Sequence, residues 1–257
     1  MFKDYLQQYR DSITACNPKN GICFDGAVDP ERYFSKKPRL LFFLKETNGN
    51  NNDGSANIEL SDWDYMQWVR DQACQKEPLY RSVYRNIAMW SKQFDLFAAG
   101  HEPALNDLID RNGLIINEDL CDALSGIALI NLKKSWGKDQ TDWSAMKRYL
   151  DEDVRRREIL IHQIETLKPD LVLCGGTFDF VYDIFGGETP FHQVLCEDGQ
   201  RIDYFQREET TFASCYHPSK PGWAREDSFT HANNIFRLYF AGRLSLEPAK
   251  RWTYDIG

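Results

Sequence analysis

Four short apolar runs recur along the chain, and each releases polar residues at its end. Leu40-Leu41-Phe42-Phe43-Leu44 leads into Lys45-Glu46-Thr47, and Ile127-Ala128-Leu129-Ile130 into Asn131. Leu171-Val172-Leu173-Cys174 leads into Gly175-Gly176-Thr177, and the run from Thr211 to Tyr216 into His217-Pro218-Ser219. A run that is apolar at every position, rather than every second one, suits a strand buried on both faces. Between the runs the pattern turns helical. Residues 2–13 and 228–244 read as helices, and 61–98 as an aromatic-rich helical stretch divided near Pro78. Shorter helices are predicted over 102–111, 117–125 and the segment after Thr177, and one long helix over 142–167, capped by Thr141 or Asp142 and stopped before Pro169. Segments 191–197 and 200–206 read as a hairpin around Glu197-Asp198-Gly199-Gln200.

Strands that alternate with helices imply a parallel sheet covered on both faces. The predicted fold is one α/β domain over residues 1–257. It is a three-layer α/β/α sandwich around a four-stranded, mainly parallel sheet, with residues 61–125 as a helical insertion between the first and second strands. The segment Asn48-Gly49-Asn50-Asn51-Asn52-Asp53-Gly54-Ser55 is the strongest loop signal in the chain.

Composition narrows the function classes. The 257 residues are 42% hydrophobic, enough for a large core. No apolar run reaches transmembrane length, and the first residues, Met1 to Tyr5, are charged and amphipathic rather than signal-like, so a cytoplasmic protein is expected. The seven cysteines include no C-x-x-C pair and read as reduced thiols, so neither a metal site nor a cofactor is expected. The net charge of −8 opposes a broadly basic nucleic-acid surface. Any anionic partner must therefore be met locally, by cations near the ends of the apolar runs such as Lys45, Lys133, Lys134, Lys138, Lys220 and Arg225.

In an open α/β sheet the carboxyl ends of the strands form the ligand crevice, so the polar residues released there are the candidate site. His217, stiffened by Pro218, can donate to a developing anion, or it can simply cap a turn. Asn131 offers a donor and an acceptor to the edge of a planar imide, or bonds its own backbone. Glu46 or Thr47 can position water, or cap a loop. Gly175 and Gly176 precede a helix and can present N–H groups to phosphate, although the G-x-G-x-x-G pattern is incomplete. Trp63, Trp68, Trp136 and Trp223 are candidates for stacking on a base or for the core.

Taken in order, these segments resemble the uracil-DNA glycosylase superfamily. Lys45-Glu46-Thr47-Asn48-Gly49 is similar to its water-positioning motif in the G-E-A-P-G form, and Ile130-Asn131-Leu132-Lys133-Lys134 to the strand that carries the base-reading Asn. The stretch from Ile164 through Lys168-Pro169 to Gly175 resembles its helix–Lys-Pro–strand–Gly passage, and Tyr216-His217-Pro218-Ser219 its H-P-S motif. The resemblance implies a monofunctional DNA glycosylase for uracil or another deaminated base. Asn131 would read the base, with Asn48 and Gly49 beside it. His217 would stabilise the departing base, and Glu46 or Thr47 would position water. Lys133, Lys134, Gly175, Gly176, Ser219 and Lys220 would hold flanking phosphates. Two departures stand out: Asn48 replaces the proline of the first motif, and Thr47 stands where several branches carry Asp or Asn. The iron–sulfur branch's cysteines are not matched. The alternatives are a non-catalytic nucleic-acid-binding module on the same fold and a nucleoside N-glycosidase or hydrolase.

Overall fold

The computed structural model describes residues 2–16, 22–46, 63–73, 82–109, 122–135, 142–187, 189–219 and 225–244. The helices are α1 (Phe2–Cys16), α2 (Pro30–Ser35), α3 (Tyr65–Ala73), α4 (Ser82–Ala98), α5 (Trp143–Glu152), α6 (Val154–Leu167), α7 (Phe178–Phe185) and α8 (Arg225–Phe240). The strands are β1 (Cys23–Phe24), β2 (Gly26–Ala27), β3 (Leu40–Leu44), β4 (Trp63–Asp64), β5 (Ala128–Asn131), β6 (Leu171–Gly175), β7 (His192–Leu195), β8 (Arg201–Arg207) and β9 (Thr210–Cys215).

The main sheet has seven strands rather than four, in the order β2-β5-β3-β6-β9-β8-β7. The four expected strands are its centre: β5, β3, β6 and β9 are mutually parallel. The additional strands are antiparallel edges. The hairpin β7–β8 extends the sheet beyond β9, and the two-residue β2 closes it beyond β5. The sheet is therefore mixed, with a parallel core.

Alternation along each central strand feeds two cores. Leu40, Phe42, Leu129, Leu171, Leu173 and Ala213 face one cluster with Trp90 and Phe94 of α4 and Ile235 and Phe236 of α8. Leu41, Phe43, Ile130, Val172, Cys174 and Phe212 face the other, with Met146 of α5, Leu160 of α6 and Val181 of α7. Helix α4 is thus a structural layer of the fold and not an appendage to it. Trp90 is fully buried, stacks on Phe42, and its indole N–H donates to the Ser228 carbonyl at 3.0 Å.

The expected long helix over 142–167 is broken. Asp142 caps α5 by accepting from Ala145 N, as expected. Asp153 leaves helical geometry (φ −145°, ψ 109°), ends α5, and caps α6 by accepting from Arg155 N. The short acidic side chain competes with the helix for backbone donors, and here it wins. Helix α6 ends at Lys168 in the left-handed region, just before Pro169. Of the helix expected over 102–111, only a 3-10 turn at Leu105–Asp107 forms among the described residues, while 110–121 and Pro78 lie outside them.

Trp90→Ala should destabilise the fold by about 3–5 kcal/mol, because it empties the contact between β3 and α8 and orphans an acceptor. Trp90→Phe should cost distinctly less. Urea unfolding of both variants checks the order, and equal losses would show that the ring volume is not what matters.

Candidate functional site

With the parallel strands numbered in chain order, the sheet reads 2-1-3-4, the doubly wound arrangement. The chain leaves β3 for β5 on one side and then crosses back to β6 on the other. The carboxyl ends of β3 and β6 are therefore the topological switch point, where ligands of open α/β sheets bind. Register keeps the four ends level: Leu44 lies opposite Asn131, Phe43 opposite Cys174, and Gly175 opposite Cys215. Pairing continues past the strands, with Lys133 N donating to the Lys45 carbonyl at 3.1 Å and Gly176 N to the Cys215 carbonyl at 2.8 Å. Lys45, Glu46, Asn131, Gly175, Gly176 and His217 are thereby delivered to one edge of the sheet. Thr47, Asn48, Gly49 and Lys220 lie outside the described residues.

The two glycines let this edge close up. A Cβ on Gly175 would stand 3.2 Å from both Leu44 Cδ2 and Pro218 Cδ. Gly176 adopts φ +65°, and a Cβ there would meet Lys45 Cε at 3.5 Å and the His217 Cβ at 3.7 Å. Lys45 and His217 thus flank the same glycine. The observed work of Gly175 and Gly176 is close packing, and the Thr177 hydroxyl that follows donates to the Phe43 carbonyl at 3.0 Å.

His217 is held in one tautomer. The Ser219 backbone N–H donates to Nδ1 at 3.2 Å, and the Ser219 hydroxyl lies 2.7 Å from the same nitrogen. A backbone N–H can only donate, so Nδ1 is an acceptor and the neutral ring carries its proton on Nε2. Burial, and then the positive charge of Lys45, pushes the imidazole pKa down to about 4. Ser219 therefore works on the imidazole, which sequence alone did not suggest. Two further residues absent from the sequence-based set hold this turn: Asn86 of α4 donates to the Pro218 carbonyl, and the Tyr216 N–H donates to His231 Nε2 of α8 at 3.1 Å.

Lys45 is half-buried, and burial lowers its pKa, opposed by the charge of Glu46. Its Nζ sits 4.7 Å from the centre of the Trp143 ring, which stacks on Phe180. Exposed aromatic surface near this edge comes from Trp143 and Tyr216, neither of them among the tryptophans singled out from sequence. Trp68 packs instead against Tyr65 and Tyr84, and Trp136 and Trp223 lie outside the described residues.

Asn131 and Lys134 belong to a buried polar centre around Asp25. One Asp25 oxygen accepts from Tyr9 Oη at 2.6 Å, Lys134 Nζ at 2.7 Å and Gln163 Nε2 at 2.9 Å. The other accepts from the Asn131 backbone N at 2.7 Å, Asn131 Nδ2 at 3.3 Å and Lys134 Nζ at 2.9 Å. The Lys134 side chain is only 3% exposed, and burial lowers its pKa against the pull of Asp25. The expectation that Lys134 meets a phosphate is therefore corrected: its charge is neutralised inside the protein. Lys133, half-buried, remains at the edge.

A cavity of about 360 Å³ lined by Arg32, Lys36, Asp95 and Asp122 lies at the opposite, amino end of the strands. Two of its cations are paired, Lys36 with Asp95 and Arg32 with Asp122. Among the described residues no group of three His, Cys, Asp or Glu side chains is placed to hold a metal ion, and no helix is long and apolar enough to cross a membrane. No family model, no curated protein and no solved structure matches the chain.

Two outcomes follow from this geometry. Asp25→Ala strands the Lys134 charge and should cost about 3–5 kcal/mol, while adding Lys134→Met should recover part of that loss. Denaturant unfolding of both single variants and the double measures the coupling, and strict additivity would contradict it. The His217 ring should titrate near 4 by NMR. Lys45→Met should raise that midpoint but leave it below 6.5, because burial is the larger cause. Between about 4 and 6.5 the unfolded chain binds the proton and the native ring does not. The neutral ring's contribution is therefore complete above 6.5 and is lost as pH falls towards 4. A midpoint at 6.5 in the native protein would refute the desolvated ring.

Proposed function

We propose that this edge is the active site of a DNA N-glycosylase for uracil or another deaminated base, on a uracil-DNA glycosylase-like three-layer fold. The observation that carries the reading is His217: a neutral imidazole with Nδ1 occupied and its proton on Nε2, at the carboxyl edge of the sheet where the turn after β9 meets Gly176 and Lys45. Glycosidic cleavage builds negative charge on the leaving base. A fixed neutral donor meets that charge as an oxyanion donor does, without first having to lose a proton. The base must leave the duplex stack to reach the crevice. Asn131, whose amide is anchored on Asp25, would read the edge of the base. Glu46 would position the water that attacks the sugar, and Lys133 would meet a flanking phosphate.

A second reading, a hydrolase acting on free nucleosides in the same crevice, is favoured by two observations. Lys134 is withdrawn into the interior, and the net charge is −8. Both weaken the electrostatic case for a polyanion.

Single-turnover excision from uracil-containing DNA decides between them. His217→Ala should slow excision about a hundredfold, roughly 3 kcal/mol, with DNA binding unchanged. Lys133→Ala should instead weaken binding and flatten its salt dependence. Release of uracil from deoxyuridine with none from DNA would replace the first reading by the second.

A further inference from the structure

Lys45 has no part in the mechanism above, yet its placement is unusual for a lysine. It directly follows β3 at the switch point and is half-buried. Its amine rests 4.7 Å over the Trp143 ring, and its Cε and the His217 Cβ both border the space that a Cβ on Gly176 would fill. Among the described residues it makes no ion pair. A surface lysine ordinarily extends into water, whereas this one lies along Gly176 and over an indole. Burial lowers its affinity for a proton, which raises the fraction present as the free amine.

We propose that Lys45 is a nucleophile whose ε-amine forms an imine with the aldehyde carbon of an open-ring pentose, the C1′ of an abasic deoxyribose in DNA. The inference rests on the glycosylase reading, because base excision is what generates that aldehyde. The free amine adds its lone pair to C1′, and the carbonyl π electrons move to oxygen. The resulting carbinolamine loses that oxygen, with both amine hydrogens, as water, leaving Nζ doubly bonded to C1′. No oxidant or metal is needed. Water reverses the step and restores the lysine. Borohydride, when added, delivers hydride to C1′ while the nitrogen takes a proton, which fixes a secondary amine.

The test is borohydride trapping on the full chain, with a preformed abasic duplex in one arm and free 2-deoxyribose 5-phosphate in the other, followed by peptide mapping. Using a preformed abasic site makes the result independent of base excision, which is measured separately on uracil-containing DNA. The expected result is an adduct on Lys45 that is lost in Lys45→Arg, a variant that keeps the charge and whose folding is checked by its thermal melt. The arm that gives the adduct identifies whether the aldehyde is carried by DNA or by a free sugar. An adduct on Lys45 with no excision from uracil, hypoxanthine or mismatched duplexes would sustain the imine chemistry and overturn the glycosylase reading. Absence of adduct in both arms, or adducts on other lysines undiminished by Lys45→Arg, would overturn the proposal itself.

Discussion

The carboxylate of Asp25 is the constraint on which the candidate site is built. Its side chain is fully buried, and an unpaired charge there would cost several kcal/mol. It is tolerated because both oxygens are satisfied by donors from separate parts of the chain: Tyr9 on α1, Gln163 on α6, and Asn131 and Lys134 on the segment leaving β5. Each donor is held as firmly as it holds. The segment 131–134 therefore cannot swing away from the sheet, and the Asn131 carboxamide cannot rotate freely. The two-residue strand β2 follows Asp25 immediately and pairs with β5 from the other side. A buried ion pair adds little net stability compared with an apolar replacement, and its value here is positional.

A different physical cause shapes the other half of the edge. Gly175 and Gly176 bring the turns after β3 and β9 together, and the resulting desolvation acts on both Lys45 and His217. Burial penalises the charged form of each, and the Lys45 charge further penalises the imidazolium. The result is one clear assignment, a neutral imidazole beside a lysine whose proton is loosely held. The bonds from Ser219 to Nδ1 then choose the tautomer. Protonation state and tautomer are thus set by packing and one turn, before any ligand arrives.

How much of this was legible in the sequence depended on the range of the interaction. The central strands were legible because Leu40 to Leu44, Ile127 to Ile130 and Leu171 to Cys174 are apolar on both faces, which only a covered sheet accommodates. Asp142 and Pro169 marked helix ends because caps and prolines act locally. The edge strands were missed for opposite reasons. Gly26–Ala27 is too short to show a period, and the hairpin was recognised while its attachment to β9 was not. Asp153 lies inside the stretch expected to be one helix, and its side chain reaches back to the backbone and breaks it. Lys134 beside Lys133 read as a basic pair. Its partner Asp25 lies more than a hundred residues away, and no local pattern carries that information. Asn86 and His231, which hold the Tyr216–Pro218 turn, are invisible for the same reason.

The withdrawal of Lys134 also changes what kind of recognition the edge can perform. Its charge cancels against Asp25, so among the described residues the positive field at the edge comes from Lys45 and Lys133, set against Glu46. From those two described cations, and with a net charge of −8, counterion release supplies only a small part of any affinity for DNA. Long-range steering is correspondingly weak. Binding energy at such an edge has to come from contacts made after the ligand is seated: hydrogen bonds to a desolvated ring, and apolar contact with exposed aromatics such as Tyr216, which adjoins His217. Interactions of that kind discriminate by fit more than by charge. They favour a ligand that presents one planar, hydrogen-bonding group to the switch point, whether a polynucleotide or a single sugar stands behind it.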